Sequence, residues 1–416
     1  MRILRGIMQR FGPGFITGAS DDDPSGIATY TQAGARFGFG LLWTALFMLP
    51  MMSAIQEMVG RIGMVSGQGL TAVVRKNLPR WVLYMFVALI VAANTINIGA
   101  DLGAMADAMR LLIPQVPFAA MALLFTVTIL LLEIFVTYKT YARILKWFGL
   151  ALVSYAATAI MVTASWPELL RGLLVPQFIL NKEFILMIVA LLGTTISPYL
   201  FVWQSNEEVE EEVAQGRLTI ASRRGANKTE MRDMRADTFM GMTFSQVIMF
   251  CIVATAAGTF FRNGLYDIQS SAQAAQALTP LAGPMASLVF AIGVIGVGLM
   301  AVPVLSASAS YALSEAFGWK EGLYKKFKDA HGFYGVITFS TLIGLLINFI
   351  GINPIQALIW AAVLNGLATP PLIAVILKLA NDKKVMGKWV NRGLSNTIGI
   401  ITLVLTTACA ILIFIL

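Results

Sequence analysis

Histidine and cysteine are nearly absent from this chain of 416 residues: His331 stands alone, and the cysteines are Cys251 and Cys409. That rules out a histidine-rich hydrolase centre and a disulfide or thiolate framework, and leaves the two cysteines as small packing residues inside apolar stretches. Charge is scarce as well, at 12% against 57% hydrophobic residues. One soluble core could not hide that much apolar surface, so the solvent for most of the chain is lipid. Nor is there a long hydrophilic stretch. The largest, from Glu207 to Asp237, is too short to fold alone, and the chain reads as a single membrane domain over 1–416.

What the sequence does have is a series of apolar runs, each near the ~20 residues that a helix needs to cross a bilayer. Eleven are expected: 11–34, 41–61, 81–109, 115–137, 144–166, 183–204, 238–261, 284–308, 335–352, 354–378 and 394–416. They are continuous and rich in Leu, Ile, Ala and Met, without the short alternation of a barrel strand, so the fold class is all-α and polytopic. With the N-terminus in the cytoplasm, every inner loop is basic. Of the thirty Lys and Arg residues only Arg36, Arg110, Arg171, Lys182 and Arg262 then fall outside. This positive-inside bias accounts for the net charge of +8 without any nucleic-acid partner, and it predicts an extracellular C-terminus. The basic N-terminus precedes an apolar run that is interrupted by polar residues and has no small-residue cleavage site, so it does not read as a removable signal. Glu207, Glu208, Glu210, Glu211 and Glu212 read as the solvated end of the sixth span, followed by a basic run against lipid head groups.

Two spans cannot be continuous helices. The first contains Gly18-Ala19-Ser20-Asp21-Asp22-Asp23-Pro24-Ser25-Gly26, and the sixth contains Gly193-Thr194-Thr195-Ile196-Ser197-Pro198-Tyr199. In each, proline removes a backbone donor and disfavours helix at the residue before it. Freed backbone groups in lipid are costly unless they are buried in protein or line a cavity. Spans one and six occupy equivalent places if 10–166 and 178–380 form an inverted repeat, with 394–416 as an added helix, and paired broken helices mark a midplane substrate site. A carboxylate at that depth is retained mostly where it meets a cation or water. Asp23 and the carbonyl of Ser20 from the first break, with the carbonyl of Thr194 and the hydroxyl of Ser197 from the second, make an all-oxygen set that suits hard ions such as Mg²⁺, Ca²⁺ or Mn²⁺. Asp22, Tyr199, Gln204, Asp101 and Asn365 are candidates for the pathway, Asn365 in an unwound stretch before Pro370-Pro371. Asn94, Asn97 and Asp107 either line it or bond between helices, Glu57 and Glu133 read as paired or near an interface, and Trp43, Trp81 and Trp203 read as interfacial. No nucleophile with a base partner points to an enzyme, and no cofactor or obligate protein partner is implied.

With both breaks in place, the order of Gly12-Pro13-Gly14-Phe15, Gln32-Ala33-Gly34, Leu41-Leu42-Trp43, Arg61-Ile62-Gly63, Ser66-Gly67 and the stretch 288–298 resembles the Nramp family of divalent metal transporters. That resemblance implies the LeuT-type architecture. It matches Asp23 to the family's metal-binding aspartate, in a motif that elsewhere reads Asp-Pro-Gly-Asn, and it places Gly26 where the asparagine ligand would be. In the second break, Ser197 and Tyr199 replace the methionine and histidine of Met-Pro-His. The missing thioether disfavours softer ions, and a roomier site suits an ion that keeps some of its water. The pattern is similar to the magnesium-transporting branch, with Mg²⁺ expected first and Mn²⁺ next. Tyr199 and Gln204 at the family's histidine positions, and Ala104 at a glutamate position, further imply transport without obligatory proton symport. A proton-coupled Mn²⁺/Fe²⁺ symporter and a carrier of an organic cation are the alternatives.

Overall fold

A computed structural model describes residues 12–136, 153–162 and 165–416. Among them the regular structure is helical throughout: α1 (Pro13–Asp21), α2 (Pro24–Phe37), α3 (Trp43–Ser66), α4 (Leu70–Asn77), α5 (Arg80–Arg110), α6 (Phe118–Phe135), α7 (Val153–Val162), α8 (Trp166–Leu174), α9 (Lys182–Thr195), α10 (Pro198–Ala214), α11 (Lys228–Thr259), α12 (Ala286–Phe317), α13 (His331–Ile347), α14 (Pro354–Ala380) and α15 (Gly393–Ile415), with short helical turns between some of them. Among the described residues, seven segments are long and apolar enough to cross a membrane by themselves; α13 is a shorter apolar helix, and α2 with α3 forms a bent pair. The fifth expected span, 144–166, is described only over 153–162 and 165–166.

Both breaks lie where the prolines predict. Pro24 and Pro198 each occupy the first turn of the helix that follows, where a missing N–H costs nothing. The half-helices on either side are anchored by backbone contact through glycines. A Cβ at Gly18 of α1 would lie 2.2 Å from the Gly241 carbonyl of α11, and one at Gly193 of α9 would lie 2.0 Å from the Ala362 carbonyl of α14. Only a residue without a side chain lets the two backbones approach so closely, the usual device for locking helices in lipid. The breaks are therefore held by rigid neighbours, α11 on one side and α14 on the other.

Three expectations need correction. The glutamate-rich stretch is not a solvated helix end: α10 continues to Ala214, and Glu207, Glu208 and Glu212 are buried, because α1, α3 and α12 pack around this helix. Trp203 is fully buried in the same bundle and not interfacial, whereas Trp81 is exposed and Trp43 packs against Phe47 and Phe178. Helix α14 runs unbroken through Pro370 and Pro371, so Asn365 reaches inward from a regular helix. Glu57 is paired, with Arg61 at 3.1 Å and Arg235 at 2.8 Å, and Glu133 accepts from Ser306. Cys251 and Cys409 are free thiols within α11 and α15, and His331 is exposed at the start of α13.

Candidate cation site

At the first break, Asp22 and Asp23 leave the helical conformation and the Asp23 carboxylate becomes the N-cap of α2. Its Oδ1 accepts from the Gly26 backbone N–H at 2.7 Å and from the Ser25 hydroxyl at 2.8 Å. This satisfies donors that Pro24 and the helix start would otherwise leave orphaned. Its Oδ2 accepts from Asn97 Nδ2 of α5 at 2.8 Å, and the same amide lies 3.3 Å from Asp101 Oδ2. Asn365 of α14 donates to Asn97 Oδ1 at 3.3 Å and keeps its own buried Oδ1 unpartnered. One step back along the chain, Ser245 of α11 donates to Asp21 at 2.8 Å and to Asp22 at 3.4 Å, leaving Asp21 Oδ1 and Asp22 Oδ2 without partners.

The second break meets the first through one hydrogen bond. The Tyr199 hydroxyl donates to the Ser20 carbonyl at 2.9 Å, while the Tyr199 carbonyl accepts from Ser308 of α12 at 2.7 Å. The Ser197 hydroxyl turns back onto its own helix, donating to the carbonyls of Gly193 and Thr194 at 2.9 and 2.6 Å. Thr369 of α14 closes the break by donating to the Ile196 carbonyl at 3.1 Å.

Among the expected residues, Asp23, Gly26, Asp101 and Asn365 are joined through Asn97, while Ser20 pairs with Tyr199 across the breaks, Asp22 is held by Ser245, and Ser197 bonds Thr194 within the second break. Gln204 lies apart, further along α10, bonded to Glu208 at 2.8 Å. Sequence reasoning did not single out Ser245 or Thr369, and left Asn97 undecided between a lining and a bonding role. Ser245 followed by Gln246 in an otherwise apolar span was the available signal.

Asp21, Asp22, Asp23 and Asp101 are all at most 2% exposed. Among the described residues none of the four has a Lys, Arg or His partner within ion-pair distance. Buried carboxylates without a cation are costly, and either a proton or an entering cation relieves that cost. No three His, Cys, Asp or Glu side chains among the described residues converge as a cluster that could hold a metal ion. A cation here would therefore lean on carbonyl and amide oxygens and on water as much as on carboxylates, which is hard-ion chemistry.

Residues 14–416 match the family described as Nramp, natural resistance-associated macrophage protein-like. The chain belongs to the Nramp family. Its relatives include the divalent metal cation transporters MntH of Bacillus subtilis, 26% identical over 94% of this chain and 88% of the relative, and of Chromohalobacter salexigens, 28% identical over 98% and 90%. In fold it is similar to the manganese transporter of Eremococcus coleocola, with a TM-score of 0.78 at 15% identity over 98% of this chain and 86% of that one. It is also similar to Mhp1, a nucleobase-cation-symport-1 family transporter in a closed conformation, with a TM-score of 0.58 at 14% identity over 97% and 92%. The expected LeuT-type helical fold is thus the one this Nramp chain adopts, and the two Nramp breaks are where it departs from a plain helical bundle.

Proposed function

We propose that this chain transports a divalent metal cation across the cell membrane, with Mg²⁺ preferred and Mn²⁺ also carried, through the site where α1–α2 and α9–α10 are broken. The observation that carries the reading is the group of four buried aspartates with no cationic partner around the first break. Two positive charges on the substrate offset what the protein leaves uncompensated. The relatives named divalent metal cation transporters, and the fold neighbour named a manganese transporter, support the substrate class. The preference for Mg²⁺ follows from the donor set, since Ser197 offers a hydroxyl oxygen where a thioether would favour softer ions. With Gly26 contributing only a backbone N–H to Asp23, the ion keeps several of its waters.

The activity is transport and not catalysis. Eleven crossings in two inverted repeats plus one helix, a cytoplasmic N-terminus and an extracellular C-terminus complete the proposed topology. Without a histidine on α10, entry follows the electrochemical gradient. A cytoplasm-negative potential supplies about 4.6 kcal/mol per 100 mV for two charges, enough to drive uptake without an obligatory proton.

Purified protein in liposomes tests this by uptake of Mg²⁺, Mn²⁺, Ca²⁺ and an amino-acid mixture, with lumenal pH recorded together with the metal. Potential-driven Mg²⁺ uptake that Mn²⁺ competes for, without acidification, is the expected result. The second reading, proton-coupled Mn²⁺ symport, is favoured by the manganese transporter as fold neighbour; tightly metal-dependent lumenal acidification would establish it in place of the first.

A further inference from the structure

Along α5, Tyr84, Ala88, Ala92 and Ile96 recur at intervals of four residues, so they share one face, and all four are exposed. Two large side chains bracket two methyl groups, which makes that face concave. Helix α13 crosses beside it. Its start is tied to α12, where Ser310 donates to the Phe333 carbonyl at 2.5 Å and the Tyr311 and Phe333 rings lie 4.8 Å apart. Its end is tied to α5, where a Cβ on Gly344 would lie 3.0 Å from the Gly99 nitrogen and Asn348 donates to the Gly99 carbonyl at 2.8 Å. Between the two ties a groove of about 470 Å³ opens, lined by this face of α5, by Phe317 of α12 and by Ile347 of α13. Its deeper hydroxyl, on Thr95, is spent on the Val91 carbonyl at 2.7 Å, so the groove asks for apolar contact only.

One end of the groove is cationic. Arg80 stands one turn before Tyr84 on α5, Arg75 Nη1 lies 2.6 Å from where a Cβ on Gly318 would be, next to Phe317, and Lys320 follows two residues on. All three are exposed, and among the described residues none has an acidic partner within ion-pair distance. Burial raises the carboxyl of nearby Glu321 above its ordinary value, which leaves this corner positive. Trp81 and Trp319 are exposed beside it, and Trp319 stacks on Phe317 with ring centroids 5.4 Å apart. Aromatic and basic side chains gathered in this way mark the level of the lipid head groups. From Tyr84 to Ile96 is about 18 Å of helix, a little more than one leaflet of a bilayer core about 30 Å thick.

We propose that this groove holds an anionic phospholipid of the cytoplasmic leaflet, with one acyl chain lying on Ala88 and Ala92 and its phosphate meeting Arg75, Arg80 and Lys320. The inference rests on the membrane orientation of the transport reading, in which α5 starts at the cytoplasmic face. Charge selects the occupant. A choline head group would bring its own cation to a corner that already holds three, whereas a lipid with net negative charge is drawn there. The acyl chain fills a crevice that the bent course of α13 leaves open, and it reaches Ile96, the residue before the Asn97 that donates to Asp23. A seated chain therefore braces α5 behind the candidate cation site.

The test uses the full chain in detergent, with phosphatidylglycerol and phosphatidylcholine of identical acyl chains titrated separately and bound lipid counted by native mass spectrometry. Phosphatidylglycerol should bind about tenfold more tightly than phosphatidylcholine. The triple variant Arg75→Gln, Arg80→Gln, Lys320→Gln should lose that preference. Ala92→Trp, which fills the groove from a lipid-facing position, should weaken both lipids about tenfold. The control Lys383→Gln, Lys384→Gln, Lys388→Gln makes the same change in charge beyond the end of α14 and should keep the parental preference. A lipid-free thermal transition within a few degrees of the parent shows that each variant is folded. Equal affinity of the parent for the two lipids, or equal losses in the two triple variants, would overturn the site. So would a dimer that Ala92→Trp disperses while no lipid is retained, since the groove would then belong to a second copy of the chain. Metal uptake in phosphatidylcholine liposomes tests transport separately: a chain that moves no divalent cation yet binds phosphatidylglycerol as expected sinks the transport reading and leaves the lipid site standing.

Discussion

The two breaks share a backbone and differ in chemistry. Asp22 and Ile196 have the same ψ of 59° with φ of −83° and −115°, and the next residues, Asp23 and Ser197, are both extended with φ of −73° and −75°. Proline at the following position imposes this geometry in both places, since it removes one donor and excludes helix at the residue before it. The side chains then do opposite things. Asp23 accepts hydrogen bonds and caps the helix ahead, whereas Ser197 donates hydrogen bonds to the helix behind and leaves the start of α10 without a side-chain cap. Proline thus determines where the chain opens, and the residue before it determines whether the opening carries charge.

The largest effect should come from removing that charge. Asp23→Asn keeps an acceptor for the Gly26 N–H but takes away the carboxylate that the cation meets, and uptake should fall by a factor of about a hundred or more, as expected for loss of an ionised ligand in a low-dielectric site. Liposome uptake beside metal-induced thermal shift would measure it, and parental uptake would separate Asp23 from the ion. Making the second break resemble the first should act in the other direction. Ser197→Asp adds a carboxylate at the start of α10, so metal binding should tighten about tenfold while turnover slows, because release becomes the difficult step. Equilibrium binding measured with turnover would reveal the split. A smaller change should follow from the double substitution Gly26→Asn with Ser197→Met, read as the ratio of Mn²⁺ or Cd²⁺ to Mg²⁺ uptake. A shift toward the softer ions of severalfold is expected, moderated by crowding, since a Cβ at Gly26 would already lie 3.3 Å from the Tyr30 ring.

Much of this was legible before any coordinates, and for a physical reason. Hydropathy and proline act locally, so the helical fold and the positions of both breaks followed from the sequence, and Asp23 stood out because a carboxylate before a membrane proline has few other uses. What stayed hidden depends on which helices adjoin. Glu207, Glu208 and Glu212 have the composition of a solvated helix end, and only the packing of α1, α3 and α12 around α10 buries them. Trp203 was misread for the same reason. The unwound stretch expected at Asn365 is absent, because α14 absorbs Pro370 and Pro371 without unwinding. Thr369 and Ser245 are ordinary residues in sequence and gain meaning from what lies opposite, Ile196 in one case and Asp21 in the other.

The smallest expected effect concerns the single contact that joins the breaks directly. Tyr199→Phe removes the hydroxyl that donates to the Ser20 carbonyl and leaves the ring in place, since Ser308 holds Tyr199 through its backbone carbonyl and not through the phenol. A buried hydrogen bond of this kind contributes about 0.5–1.5 kcal/mol, so the thermal transition in detergent should drop by a few degrees at most. The ion should notice a different consequence. Freed from tyrosine, the Ser20 carbonyl has a lone pair available for a cation, so metal affinity should hold or improve while stability falls. If affinity falls in step with stability, the Ser20 carbonyl is a strut between the two breaks and contributes nothing to holding the ion.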